Sequence, residues 1–156
     1  MFPDNDERAI FFAKGVVETV KKLNWVPDII HVHGWMAAML PIYMKHFYKN
    51  EALFSDTKIV TSVYSQSFEG SLDIEMINKI KFDGVPNDAI SDLETPDYEN
   101  IMKATINHSD AVIIASENLS SSLTKFIESS GKPFLPFASK DKFAETYSNF
   151  YKNFVL

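Results

Sequence analysis

Three short runs rich in β-branched residues constrain this chain more than any other feature. They are Asp28-Ile29-Ile30-His31-Val32-His33, Lys58-Ile59-Val60-Thr61-Ser62-Val63-Tyr64 and Asp110-Ala111-Val112-Ile113-Ile114-Ala115-Ser116. Each is nearly continuous in apolar character, as expected of a parallel strand covered on both faces. The stretches around them carry the helical period instead. From Asp6 to Leu23 the apolar residues Ile10, Ala13, Val16, Val17, Val20 and Leu23 recur at three- and four-residue spacing, with Asp4 or Asn5 as the candidate cap. Trp35 to Tyr48 reads as a second helix whose start Pro41 bends or shifts. Gln66 to Pro96 is an insertion on the simple βαβ plan, holding a weak helix at Ile74 to Ile80 and turn signals at Asp83-Gly84 and Val85-Pro86-Asn87. Stronger helices are expected at Tyr98 to His108 and Asn118 to Ser129. Phe134-Leu135 is a candidate short strand, and Lys140 to Phe154 an aromatic-rich terminal helix.

Strands alternating with helices imply right-handed crossovers, hence an α/β, Rossmann-like parallel sheet flanked by helices, with residues 1–156 as a single domain. Such sheets bind ligands beyond the carboxyl ends of their strands. The segments of interest are therefore 33–36, 64–70 and 116–118. The hydrophobic share of 46% over 156 residues suffices for one core. A net charge of −6 lacks the positive excess that nucleic acid or an anionic membrane surface requires, so neither is an expected partner. The sequence holds no cysteine, which excludes disulfides and zinc-thiolate sites and fits a reducing, cytoplasmic setting. It has no apolar run of spanning length, and its first residues are acidic rather than signal-like.

His31 and His33 share a strand face and could hold a metal, but no third ligand is evident, and neither metal nor cofactor is expected. His46 and His108 read as helix-surface residues. The acids between Asp83 and Glu99 read as a solvated loop, because nothing fixes their spacing across a substrate. Ser116 and Ser120 to Ser122 have no base beside them and no G-x-S-x-G turn, so serine hydrolysis is rejected. Trp35, Tyr64 and Phe68 are each either a sugar-stacking ring or core packing. Phe143, Tyr147, Phe150, Tyr151 and Phe154, at helical spacing, read as core or interface.

The strand ends carry a recognisable pattern. Asn24-Trp25-Val26-Pro27-Asp28-Ile29-Ile30-His31-Val32-His33-Gly34-Trp35, followed by Ala37-Ala38 and Leu40-Pro41-Ile42-Tyr43, resembles the glycogen and starch synthase family. Asp4-Asn5-Asp6-Glu7-Arg8 with Phe11-Phe12, and Asp110-Ala111-Val112 with Ala115-Ser116, are similar to further segments of the same family, so the likeness covers roughly residues 4 to 125. It implies the N-terminal, acceptor-side domain of a GT-B glycosyltransferase. The implied substrates are an α-glucan and a nucleotide sugar, ADP-glucose or UDP-glucose, held mainly by a second domain. His33, Gly34, Trp35, Tyr64, Ser65, Phe68 and Gly70 are the implied substrate-side residues, and none is assigned as catalytic.

Departures from the family pattern lie inside the matched region. Gly34 stands where the family has an acid, Met36 where it has a further His, and Tyr64-Ser65 where it has His-Asn. No Lys-x-Gly-Gly step occurs in these 156 residues. Retaining glucosyl transfer relies on groups fixed against the sugar and on charge stabilisation at the leaving phosphate, and one lost donor alone costs roughly 100-fold or more. The alternative is a non-catalytic glucan-binding or regulatory module. The resemblance also implies a strand beside residues 28–33 that this sequence does not encode. Ile29, Ile30 and Val32 are too apolar for a solvated edge, and the strand has no protecting proline or lysine, so self-association or shielding by the terminal helix is expected. The purified chain is expected to incorporate no label from ADP-glucose or UDP-glucose into glycogen above a no-protein control. Sustained incorporation that disappears in His33→Ala would overturn this expectation.

Overall fold

The computed structural model describes residues 2–139 and 141–155; the expected helix start at Lys140 and the question of whether Met1 is a native start lie outside them. The chain alternates as expected. Helix α1 (Asn5–Lys22) leads to strand β1 (Ile29–His33), a 3-10 turn (Trp35–Ala37) and α2 (Met39–His46). Strand β2 (Lys58–Val63) is followed by α3 (Met76–Phe82), a kinked 3-10 stretch (Asn87–Glu94) and α4 (Tyr98–Asn107). Strand β3 (Ala111–Ile114), α5 (Ser121–Ser129), β4 (Phe134–Leu135) and α6 (Phe143–Val155) complete the order.

The four strands form one parallel sheet in the order β1-β2-β3-β4, with His31 opposite Val60 and Ser62 opposite Ile113. Strand alternation divides the side chains between two layers. Ile30, Val32 and Ile59 point into the core built with α1 and α2, while Val63, Val112 and Phe134 pack with α4 and α5 on the same side. Ile29, Val60, Ala111, Ile113 and Leu135 face the other way, where Tyr147, Phe150, Tyr151 and Phe154 of α6 cover them. The terminal helix thus packs on a face of the sheet. It reaches β1 on that face, through Ile29 and His31.

Local chemistry accounts for the element boundaries. Neither Asp4 nor Asn5 caps α1 with its side chain; the Asp4 carboxylate instead takes the Arg8 guanidinium at 3.0 Å, one turn on. Pro41 falls in the first turn of α2, where its missing N–H is no loss, so the expected long helix becomes a 3-10 turn and a later α-helix. Asp97 caps α4 by accepting from the Asn100 N–H at 2.8 Å, and Ser120 caps α5 by accepting from Leu123 at 3.3 Å, which starts that helix later than Asn118.

Two readings of polar residues change on the fold. The stretch from Asp83 to Glu99 is not simply solvated: Asp83 accepts from Lys14 at 2.8 Å and from the Tyr43 hydroxyl at 2.6 Å, and Ile90 and Leu93 are fully buried. His46 and His108 are half-buried partners rather than free surface residues, with their Nε2 atoms 3.0 Å apart.

The insertion is tied to the first helix through ion pairs at two places, Lys14 with Asp83 and Lys79 with Asp6 and Glu7. Lys79 of α3 donates to Asp6 and to Glu7, both at 2.7 Å, and these hydrogen bonds, Asp6 first, hold the ammonium above the ordinary lysine range. The Asp6 side chain is fully buried, and its Oδ1 has no partner among the described residues. Lys79→Met therefore strands a buried carboxylate. The expected cost is about 1–3 kcal/mol, read as a lower urea midpoint; an unchanged midpoint would mean that α3 docks without this pair.

Candidate functional site at the strand ends

Beyond the carboxyl ends of β1, β2 and β3, loops meet in a network built mostly of aromatic and hydroxyl groups. The backbone turns sharply after β1 because Gly34 adopts φ 71° and ψ 170°, a region that side-chain-bearing residues rarely enter. This turn leaves His33 exposed at the strand tip. Its Nδ1 lies 2.8 Å from the Tyr64 hydroxyl at the end of β2. Tyr64 is fixed from its other end, since its carbonyl accepts from the Tyr98 hydroxyl at 2.5 Å. The next residue, Ser65, donates its backbone N–H to Ser116 Oγ at 3.0 Å and so joins the ends of β2 and β3.

These anchors define a cleft of about 290 Å³. Tyr64, Ser65, Phe68 and Gly70 line one side, and Tyr98, Glu99, Leu119 and Ser120 line the other. Phe68 sits edge-on between Trp35, at 5.0 Å, and Tyr98, at 5.9 Å. Four of the seven residues singled out from sequence therefore meet in the cleft. His33 is connected to it through Tyr64, Trp35 through Phe68, and Gly34 shapes the turn behind it. Trp35 also packs against both core clusters, so much of its ring is spent on the interior. Sequence reasoning missed Tyr98, Glu99 and Ser120. Ser120 could have been found as a helix cap ahead of α5; Glu99 carried no such signal.

The charge state of the site follows from burial. Glu99 is paired with Lys103 at 2.8 Å and hydrogen-bonded to Ser122, and these contacts hold its carboxyl below the ordinary range. Burial lowers His33. His31 is pushed down to about 4, by burial first and by the neighbouring His33 second. The two rings lie 3.9 Å apart, but His31 belongs to the α6 side, with Nε2 2.8 Å from Ser62 Oγ and Nδ1 2.5 Å from the Tyr151 hydroxyl. Burial likewise raises Tyr151 to about 12. At neutral pH this band is uncharged and hydrogen-bonded, suited to orienting hydroxyl groups rather than to moving protons. Among the described residues, no group of three or more His, Cys, Asp or Glu side chains stands where it could hold a metal ion, and no helix is long and apolar enough to cross a membrane.

The sequence matches the family model for the starch synthase catalytic domain over residues 1–131. The chain belongs to that family. Among its relatives, the glycogen synthase of Clostridium perfringens is 32% identical over 117 residues, covering 73% of this chain and 24% of that protein. The glycogen synthase of Chlorobium limicola is 35% identical over 113 residues, covering 72% and 22%. The chain thus spans about a quarter of the length of these relatives. Its fold also resembles the catalytic domain of starch synthase IV from Arabidopsis thaliana, solved with ADP and acarbose, at a TM-score of 0.67 and 17% identity over 91% of this chain and 32% of that one. The parallel α/β architecture is therefore that of one part of a GT-B glycosyltransferase.

The Gly34 geometry limits which residues can stand at that position. A Cβ at Gly34 would meet no atom within 4 Å, so any cost of substitution is conformational rather than steric crowding. The substitution Gly34→Asp is expected to cost about 1–3 kcal/mol in a denaturant titration, because an L-residue must hold this backbone conformation. A neutral effect would show that the turn relaxes readily.

Proposed function

We propose that this chain is the α-glucan-binding part of a glycogen or starch synthase-type glucosyl-transfer site, and that it does not transfer glucose alone. The nucleotide sugar, ADP-glucose or UDP-glucose, would be held by groups outside these 156 residues. The observation that carries the reading is the cleft itself: ring edges of Phe68 and Tyr98, hydroxyls of Tyr64, Ser65 and Ser120, and the Glu99 carboxylate converge at the carboxyl ends of a parallel sheet. Sugars are bound by this combination, with apolar ring faces packing on aromatic carbons and hydroxyls donating to fixed acceptors. His33, Gly34 and Trp35 support the site from behind.

A second reading, a glucan-binding or regulatory module with no catalytic partner, is favoured by the same departures that remove the acid at Gly34 and the His-Asn pair at Tyr64-Ser65. Both readings require the cleft to bind glucan. They separate only when a donor-binding polypeptide is added.

An open cleft of this size buries little of a long ligand, so weak, maltooligosaccharide-selective binding is expected. Titration with maltoheptaose, followed by amide shifts in NMR, should perturb residues 64–70, 98–99 and 119–120, and Phe68→Ala should weaken the response several-fold. Shifts confined to α6, or equal shifts with an unrelated oligosaccharide such as cellohexaose, would refute the site.

A further inference from the structure

Two histidines outside the cleft meet in a way that the strand-end site does not use. His46 is the last residue of α2 and His108 the C-cap of α4. Their Nε2 atoms lie 3.0 Å apart, with the rings inclined at 67°. His108 is held in one tautomer. Its Nδ1 lies 2.7 Å from the Ala104 carbonyl, which can only accept, so Nδ1 carries the proton and Nε2 presents a lone pair. Metal-binding imidazoles are oriented in this manner, the second nitrogen donating to a backbone carbonyl. His46 turns its own Nε2 to the same point, and moving its proton to Nδ1 frees a second lone pair there.

The surroundings accept a cation. α2 and α4 both end here, and helix C-termini carry partial negative charge. The charged groups acting on the pair are Lys49 and Asp88 at His46, and Asp92 and Lys132 at His108, two of each sign. Lys132 spends its ammonium on the Ser109 carbonyl at 2.7 Å. Both rings are half-buried, which leaves a path for an ion and its waters. His31 and His33 offer less, because both ring nitrogens of His31 are engaged, by Ser62 and by Tyr151.

We propose that His46 and His108 form a two-imidazole site for a divalent transition-metal ion of the zinc, nickel or copper class, completed by water. Imidazole suits these metals, whereas magnesium and calcium prefer oxygen ligands. Metal–nitrogen bonds of about 2.0–2.1 Å in a tetrahedral array set two ligating nitrogens about 3.3–3.4 Å apart. The rings therefore need to part only slightly from their 3.0 Å separation. The bound ion clamps the end of α2 to the end of α4, tying the crossover behind β1 to the helix that leads into β3.

Calorimetric titration of the chelator-treated chain with zinc chloride tests the site, alongside proton–nitrogen NMR spectra of the imidazoles. The expected result is saturable one-to-one uptake, with the Nε2 signals of His46 and His108 shifting together and the unfolding temperature rising with zinc. His46→Gln and His108→Gln, each checked by circular dichroism, should each weaken uptake at least about tenfold. His33→Gln, in the other histidine pair, should leave it unchanged. The NMR reading uses the unaltered chain, so it decides the matter even where a variant does not fold. No saturable uptake, shifts confined to His31 and His33, uptake indifferent to either glutamine variant, or an equal response to magnesium chloride would each overturn the site. None of these readouts involves glucan.

Discussion

Strand β2 is the member on which the other elements depend. All of its residues except Lys58 are buried, and two of these, Thr61 and Ser62, are polar. A polar group in such a place is tolerated only if it is paired, and each of the two is paired in a way that fixes a neighbour. The Thr61 hydroxyl lies 2.7 Å from Ser109 Oγ, which sets where α4 ends and β3 begins. The Ser62 hydroxyl lies 2.8 Å from His31, whose other ring nitrogen meets Tyr151 at 2.5 Å. One hydroxyl on each face of the central strand thus fixes a crossover on one side and the terminal helix on the other. Asp110 adds to the first, since its carboxylate accepts from the Ile59 N–H at 2.8 Å and from Lys45 at 2.7 Å.

This arrangement explains why the two histidines of β1 have different fates despite sharing a face. His31 is the middle residue of β1, opposite Val60, and is covered by α6, so burial dominates and its proton affinity falls. His33 reaches the strand tip, where Gly34 turns the chain away and leaves the ring at the surface beside Tyr64. A displacement of two residues along the strand separates a half-buried imidazole from an exposed one. In the backbone conformation of Gly34 a residue with a side chain would be strained, so the glycine and the shape of the turn go together.

Much of this was legible in the sequence because it rests on short-range patterns. The three β-branched runs, the period of α1 and the aromatic stripe of α6 each state locally which face will be buried. Four members of the cleft could be read as well, since a parallel sheet exposes the residues after its strands. Tyr98 and Glu99 were not legible for the opposite reason: they enter the cleft from the head of α4, beyond a long insertion whose path no local pattern specifies. The pairing of His46 with His108 was hidden similarly, because it depends on how α2 and α4 pack rather than on either helix alone. The absence of a side-chain cap on α1 is a smaller case, in which Arg8 draws the Asp4 carboxylate away from the helix end.

The apolar residues left outside the core are as informative as those within it. α1 buries Ala9, Ala13 and Val17, all small, which lets the helix lie close to its neighbours. Its larger side chains, Phe11, Phe12 and Leu23, point elsewhere, so the stripe that folds the domain is narrower than the apolar surface the helix carries. α6 turns most of its aromatic rings inward and leaves Phe143 as the one large apolar side chain more than half exposed among its described residues. The two helices cover opposite layers of the same sheet with opposite distributions of bulk. Exposed apolar side chains lie at both margins of the sheet, with Trp25 and Val26 ahead of β1 and Phe137 after β4. The strand-end cleft and an apolar groove beside α1 occupy separate parts of the surface, with no lining residue in common.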